Sequence, residues 1–264
     1  MVAITSMARE HILEAVQLMY ADVANNPDKE FHFPTGRQTC IFLGYPEAML
    51  DAVPATAVES FAGVGYPFAA AGIQPGNTVL DIGSGSGTDT LVAANLVGSA
   101  GKVYGLDMTR AMQEKLARNI ELMDIGHVEV LPGNAEEIPL PDASVDVITS
   151  NGVINLVPDK PLAIREMFRV LRPGGRIQIT DIVIGVGEDT LADVRNNPRL
   201  WAECIVGAVT ESGYFDMFEA TGFARPETLN TFDYFSESSK QETREIAASF
   251  QAHGILLTTT RPAS

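Results

Sequence analysis

Cysteine, basic charge and long apolar runs are all scarce in this 264-residue sequence, and each shortage excludes something. Cys40 and Cys204 are the only cysteines. Two thiols cannot build a disulfide framework, and so low a count fits a reducing cytosol. Lys and Arg number 18 against 34 Asp and Glu, a formal net charge of -16. Nucleic-acid binding depends on neutralising phosphates with basic side chains, so an acidic surface argues against it, and equally against adsorption to anionic membranes. No uncharged apolar stretch is long enough to span a bilayer. Arg9, Glu10, His11 and Glu14 interrupt the opening segment, which therefore does not read as a cleavable leader. The expectation is a soluble, cytoplasmic protein with a small-molecule partner and no nucleic-acid or membrane partner; oligomeric state is not legible.

What is present is an ordinary core-forming composition, 45% apolar, without an internal repeat or low-complexity tract. Residues from about Ser6 to Ala24 carry Ile12, Val16 and Met19 at helical spacing, and Asn25-Asn26-Pro27 stops that helix. Residues 31–66 are punctuated by Pro and Gly and read as short helices and loops. From Asn77 the pattern turns regular. Short apolar strands are expected at Val79–Ile82, Lys102–Asp107, His127–Leu131, Ser144–Ser150 and Arg176–Ile184, separated by helical segments. Pro173-Gly174-Gly175 is read as the stop of the helix that Asp159 opens. Residues 185–210 break the alternation and are expected to form an insertion over the ligand end. The tail reads as helix, strand, helix, strand: 214–221, 226–231, 241–250 and 253–259. Strands alternating with helices imply an α/β, doubly wound, mostly parallel sheet. The expected division is an N-terminal helical lid, residues 1–72, and a main domain, residues 73–264.

The sharpest signal is Asp81-Ile82-Gly83-Ser84-Gly85-Ser86-Gly87, joining the first strand to a helix. Glycines let the chain turn tightly and let a ligand approach the backbone. In an open α/β sheet, ligands bind at the carboxyl ends of the strands. A dinucleotide loop, G-x-G-x-x-G, would need glycine at Thr88; here it falls one place early, at Gly87. Asp81, two places before Gly83, would repel a pyrophosphate but suits a ligand with an amino group and a sulfonium, as in S-adenosylmethionine (SAM). Asp107, closing the second strand, can accept from two ribose hydroxyls and so supports a nucleoside without choosing between NAD and SAM. Met108 either flanks an adenine ring or packs at the core edge. The bland alternative for the whole loop is a plain tight turn.

Over about residues 73–184 the chain resembles the class I SAM-dependent methyltransferases. The marks are the glycine loop, Gly105-Leu106-Asp107-Met108, Gly133-Asn134-Ala135-Glu136-Glu137-Ile138-Pro139, and Val170-Leu171-Arg172-Pro173-Gly174-Gly175. The resemblance implies a Rossmann-like seven-stranded sheet with a reversed last hairpin. It implies cofactor contacts at Asp81, Gly83, Ser84, Gly85, Gly87, Asp107, Met108, Asn134, Ala135 and Asn151. Asn134 stands where the family usually has Asp, and its carbonyl can still accept from an adenine amino group. Three further stretches, Phe61–Pro67, Ser150–Lys160 and Trp201–Ala208, are similar to the arsenite methyltransferases. That family holds As(III) with several thiolates, because a soft centre takes soft ligands. Its usual cysteines are replaced here by Val64 and Gly152, and Cys204 alone keeps its place. The resemblance therefore implies a relative with a changed acceptor, Gly152 enlarging the acceptor pocket.

Methyl transfer is an in-line displacement, and the protein chiefly aligns the reactants and excludes water. Candidate catalytic residues are accordingly few: Cys204, which touches substrate or is a buried thiol, and His32, which is a base near the lid or a ring packed between Phe31 and Phe33. Gly152, Trp201 and Glu203 are candidate substrate contacts, and no metal is called for. The readings are a SAM-dependent methyltransferase for a small organic acceptor, an arsenic methyltransferase using Cys204, a SAM-binding module without turnover, and an NAD-dependent oxidoreductase.

Overall fold

A computed structural model describes residues 6–187, 201, 205–238 and 240–263. The first helix, α1 (Ser6–Asn25), lies apart from three short ones, α2 (Gly36–Phe42), α3 (Glu47–Asp51) and α4 (Ala55–Val58). Then β1 (Thr78–Ile82), α5 (Thr88–Val97), β2 (Lys102–Asp107), α6 (Arg110–Met123), β3 (Val128–Pro132) and β4 (Val145–Asn151) alternate. They are followed by α7 (Lys160–Val170) and β5 (Leu171–Ile184), by β6 (Val209–Thr210), α8 (Glu211–Thr221) and β7 (Glu227–Phe232), and by α9 (Gln241–Ser249) and β8 (His253–Thr260).

The sheet runs β3-β2-β1-β4-β5-β8-β7. Its first five strands are parallel, and β8 is antiparallel to both neighbours. The order reverses beside β1, which opens the crevice expected at a switch point. The fold is Rossmann-like, as the strand–helix rhythm implies, but the sheet has eight strands and not seven. The extra one is β6, two residues paired with the end of β5. It lies where an insertion was expected to interrupt the sheet, and so short a strand has no pattern of its own to read.

One helix stop was misread. Pro173-Gly174-Gly175 falls inside β5, not before it. Pairing with β4 shifts register between Val145 and Val147, so Leu171 and Arg176 face nearly adjacent residues and the Pro-Gly-Gly triplet is accommodated as an irregularity. Gly174 has φ +80°, and its amide bonds to the Arg261 carbonyl.

The two sheet faces bury different sets. Leu80, Ile82, Ile148, Ile177, Ile179 and Leu257 pack under α7 and α8. Val79, Val103 and Val147 pack on the other face, with Leu91 and Val97 of α5 and Leu50, Phe61 and Phe68 from the N-terminal segment. Residues of α1 share a third cluster with Met112 of α6, Ile182 and Tyr234. Lys115 fastens this arrangement: although buried, its ammonium donates to the Ala24 carbonyl, Glu59 and the Ser60 hydroxyl at 2.7–3.1 Å. Among the described residues, no helix is long and apolar enough to cross a membrane.

Candidate functional site

A cleft holding about 980 Å³ of open space lies at the carboxyl ends of β1, β2 and β4. Its floor is the loop after β1. Gly83, Gly85 and Gly87 all have positive φ, a conformation glycine adopts freely. A Cβ on Gly87 would come within 2.4 Å of Leu116 Cδ1, so that glycine also lets α6 approach the loop. At Gly85 a Cβ would meet only Met112 Sδ, at 3.9 Å, which leaves the backbone open toward the cleft.

Asp107 is fixed by its neighbours. One carboxylate oxygen accepts from the Gly85 amide at 2.8 Å and the other from the Thr109 amide at 2.7 Å. The Thr109 hydroxyl and the Met108 amide also favour its charged form. Asp81 is buried and accepts from Thr90 Oγ1 at 2.6 Å. Burial, then the nearby Asp89 charge, push its carboxyl well above the usual range. Asp107 is also raised, by burial, against the pull of its backbone donors.

Asp89, in the first turn of α5, is a third carboxylate on the cleft wall, and the sequence did not single it out. An acid there reads as an ordinary partner for the helix dipole. In the structure it accepts from Tyr45 Oη and from Asn151 Nδ2 at 2.9 Å. Burial pushes it up to about 6 despite those two donors. Among the described residues, none of the three carboxylates has an ion-pair partner, so no protein cation compensates the negative charge each carries when ionised.

Asn151 is a hub. Its Oδ1 accepts from the amides of Val64 and Gly65 and from Thr180 Oγ1, while the two hydrogens of Nδ2 are shared among Asp89, Tyr45 Oη and the Gly65 carbonyl. Its polar atoms are therefore spent on the protein, holding the 63–66 loop against β4. Gly63 makes room for it: a Cβ there would lie 2.5 Å from the Asn151 side chain.

The far wall contains Met108, Asn134, Ala135 and Glu136. Asn134 Oδ1 accepts from the Glu136 amide at 2.8 Å. Glu136 accepts from the Asp159 amide at 2.7 Å and pairs with Arg9 of α1. Gln17, also on α1, donates to the Met108 carbonyl at 3.1 Å. Leu13, Val16 and Tyr20 of the same helix close the cleft. Ser84 Oγ is buried and, among the described residues, has no hydrogen-bond partner.

Several candidates fall elsewhere. Gly152 lines the cleft, but the space expected from its missing side chain is taken: a Cβ would stand 3.0 Å from Val64 Cγ1. Val64 and Gly152, the two replaced cysteine positions, thus touch one another. Trp201 does not reach the cleft; it is buried, donates to the Leu156 carbonyl at 2.8 Å and lies under Lys160. Its neighbours Glu203 and Cys204 lie outside the described residues. His32 is away from the cleft, its ring edge-on to Phe33 at 4.6 Å between centroids. Cys40 is fully buried among the N-terminal helices, where burial pushes its thiol up. No group of His, Cys, Asp and Glu among the described residues is arranged to hold a metal.

A family model described as a methyltransferase domain matches residues 73–248. Over 161 residues the chain is 41% identical to an arsenite methyltransferase of Halobacterium salinarum, covering 61% of this chain and 41% of that one. It is 43% identical over 114 residues to the ubiquinone/menaquinone biosynthesis C-methyltransferase UbiE of Escherichia coli, covering 42% and 44%. The chain spans less than half the length of these curated relatives. Among solved structures it is similar to CrArsM, an arsenic(III) S-adenosylmethionine methyltransferase from Chlamydomonas reinhardtii, at 33% identity and TM-score 0.68, covering 82% of this chain and 72% of that one.

Proposed function

The chain belongs to the methyltransferase domain family, and on that premise we propose that its cleft binds SAM and that the protein transfers a methyl group to a small-molecule acceptor. One observation carries the reading: three carboxylates, buried Asp81 and Asp89 and half-buried Asp107, surround one glycine loop with no basic partner among the described residues. Charges taken out of water need compensation. A ligand that brings positive charge on an amine and a sulfonium supplies it; a dinucleotide pyrophosphate would worsen the repulsion. The partnerless Ser84 hydroxyl and the open backbone at Gly85 are further places where a ligand would satisfy the site.

Bound SAM supplies a methyl group already activated by its sulfonium. The chain's own part is binding, orientation and exclusion of water. Asp107, held by the Gly85 and Thr109 amides, is the acceptor for a ribose diol. Met108, Asn134 and Ala135 flank the base. Asn134 Oδ1 spends one lone pair on the Glu136 amide and keeps the other. The α1 helix, tied by Arg9 and Gln17, covers the cofactor, and removing water strengthens each polar contact beneath it.

The acceptor side favours an organic molecule over arsenite. Two of the usual thiol positions are Val64 and Gly152, packed together, and buried Cys40 lies away from the cleft. The second reading, an arsenic methyltransferase relying on Cys204, is favoured by the names of the relatives. Calorimetry with SAM, S-adenosylhomocysteine and NAD tests the cofactor, and methyl transfer from labelled SAM to a panel of acceptors, arsenite with a thiol included, tests the acceptor. Binding of NAD in preference to SAM would overturn the proposal.

A further inference from the structure

Asp81, Thr149 and Gln178 stand side by side across three adjacent strands. Asp81 pairs in register with Thr149, and Thr149 with Gln178. In-register residues of parallel strands point to the same face, so the three side chains form one row beneath the α5 layer. All are buried: Asp81 is 2% exposed, Thr149 0% and Gln178 1%.

The row is short of hydrogen bonds. Among the described residues, Thr149 Oγ1 and Gln178 Nε2 have no hydrogen-bond partner. The orientation of the Gln178 amide is not arbitrary, because its Oε1 accepts from the Gly72 amide at 3.1 Å. That contact turns Nε2 the other way. Asp81 has one recorded donor, Thr90, and spare acceptor capacity. Buried polar atoms left unpaired cost free energy, and native proteins seldom leave two together.

Adjacent strands lie about 4.8 Å apart, and one oxygen placed roughly 2.8 Å from each of two groups bridges such a gap. We propose that one internal water molecule sits between Asp81, Thr149 and Gln178, and that Thr149 and Gln178 act through it as positioning residues that keep Asp81 ionised at the cleft. Gln178 Nε2 donates to the water, the water donates to the Asp81 carboxylate, and it shares one hydrogen bond with the Thr149 hydroxyl. A cation does not fit, because the Gln178 N–H would point at it. The water's donated bond favours the charged carboxylate, against burial and against the Asp89 and Asp107 charges. Tyr45 is the other titratable group that Asp81 influences electrostatically.

The structural part of this inference is independent of the cofactor; the part about Asp81 rests on the cleft binding SAM. A crystal structure of the ligand-free protein at high resolution tests the first part. A spherical density peak within hydrogen-bond reach of all three side chains is expected. A direct Gln178–Thr149 contact with no peak would overturn the proposal, whatever the protein does with SAM. For the second part, SAM affinity is measured from pH 5 to 8 in the wild type, Thr149→Val and Thr149→Ser. Thr149→Val is expected to weaken binding near neutral pH by roughly threefold to tenfold, the worth of one ordinary hydrogen bond. It should also move the pH midpoint upward, with Thr149→Ser restoring both. An unchanged midpoint in a folded Thr149→Val protein would defeat the positioning role. Absence of SAM binding in the wild type would instead defeat the proposed function.

Discussion

Gly152, on the cleft wall, and Val64 compete for one small volume: a Cβ on Gly152 would fall 3.0 Å from Val64 Cγ1, and Gly152 itself has φ +72°. The two positions were picked from the sequence separately, as places where a related family carries thiols. Their contact makes them a coupled pair. Gly152→Cys alone must strain the backbone and press on Val64, costing about 1–3 kcal/mol. Adding Val64→Cys removes the crowding methyl, so the double variant should be more stable than the two single effects added together. Urea unfolding of the four proteins checks this, and strict additivity would refute the coupling. The double variant is also expected to gain arsenite affinity over the wild type.

The carboxylate cluster predicts opposite pH trends for stability and for ligand binding. Asp81, Asp89 and Asp107 all have folded-state values above their unfolded ones. The folded state therefore holds more protons, and stability falls as pH rises through the raised values. For Asp89 the window runs from the unfolded value, 3.8, to about 6. Ligand-free protein should thus melt at higher temperature near pH 5.5 than at 7.5. SAM affinity should do the reverse, weakening as pH drops and the carboxylates are neutralised, Asp81 among them and Asp89 at about 6. Melting curves and calorimetry over the same buffers decide the matter; parallel trends would contradict it.

Arg9 and Gln17 tie α1 to the rims of the cleft, at Glu136 and at the Met108 carbonyl. Arg9→Ala leaves a buried carboxylate with the Asp159 amide as its remaining donor among the described residues. The double variant Arg9→Ala/Gln17→Ala should release S-adenosylhomocysteine faster, by about tenfold for two lost hydrogen bonds, one of them charge-assisted. Stopped-flow displacement measures it. An unchanged release rate would mean that α1 does not retain the ligand.

Lys115 holds the end of α1, the residues after α4 and helix α6 with three donated bonds. Lys115→Met keeps the stem's packing and leaves the Ala24 carbonyl and Ser60 without this donor. A loss of about 2–4 kcal/mol in unfolding free energy is expected. A loss below about 0.5 kcal/mol, the range of ordinary surface changes, would show the network to be incidental.

Much of this architecture is legible in the residues, for reasons that also mark where reading fails. The strand Lys102–Asp107 is bounded by turn chemistry on one side and a helix on the other, and it appears with those limits. The glycine loop declares itself because several positive-φ positions leave few other residues possible. Asp89 escaped notice because an acid in a first helical turn already has a local explanation. Asn151 was read from the sequence as a cofactor contact, and its role as the hub that joins Tyr45, Asp89, the 63–66 loop and Thr180 was not legible, because those partners come from four distant parts of the chain. Trp201 looked like a pocket residue for its size and place; the Leu156 carbonyl and Lys160 claim it instead. Such partnerships are settled by tertiary packing, which no local pattern encodes.

The central claim is that uncompensated acid around the glycine loop recruits a cationic nucleoside. Calorimetric titration with SAM of the wild type and of Asp107→Ala tests it most directly. The wild type should bind with a dissociation constant in the micromolar range. Asp107→Ala, losing the ribose acceptor and the contacts that fix Gly85 and Thr109, should bind at least about tenfold more weakly, as expected when charge-assisted hydrogen bonds are removed. No heat from the wild type, or equal affinity in the two proteins, would contradict the account.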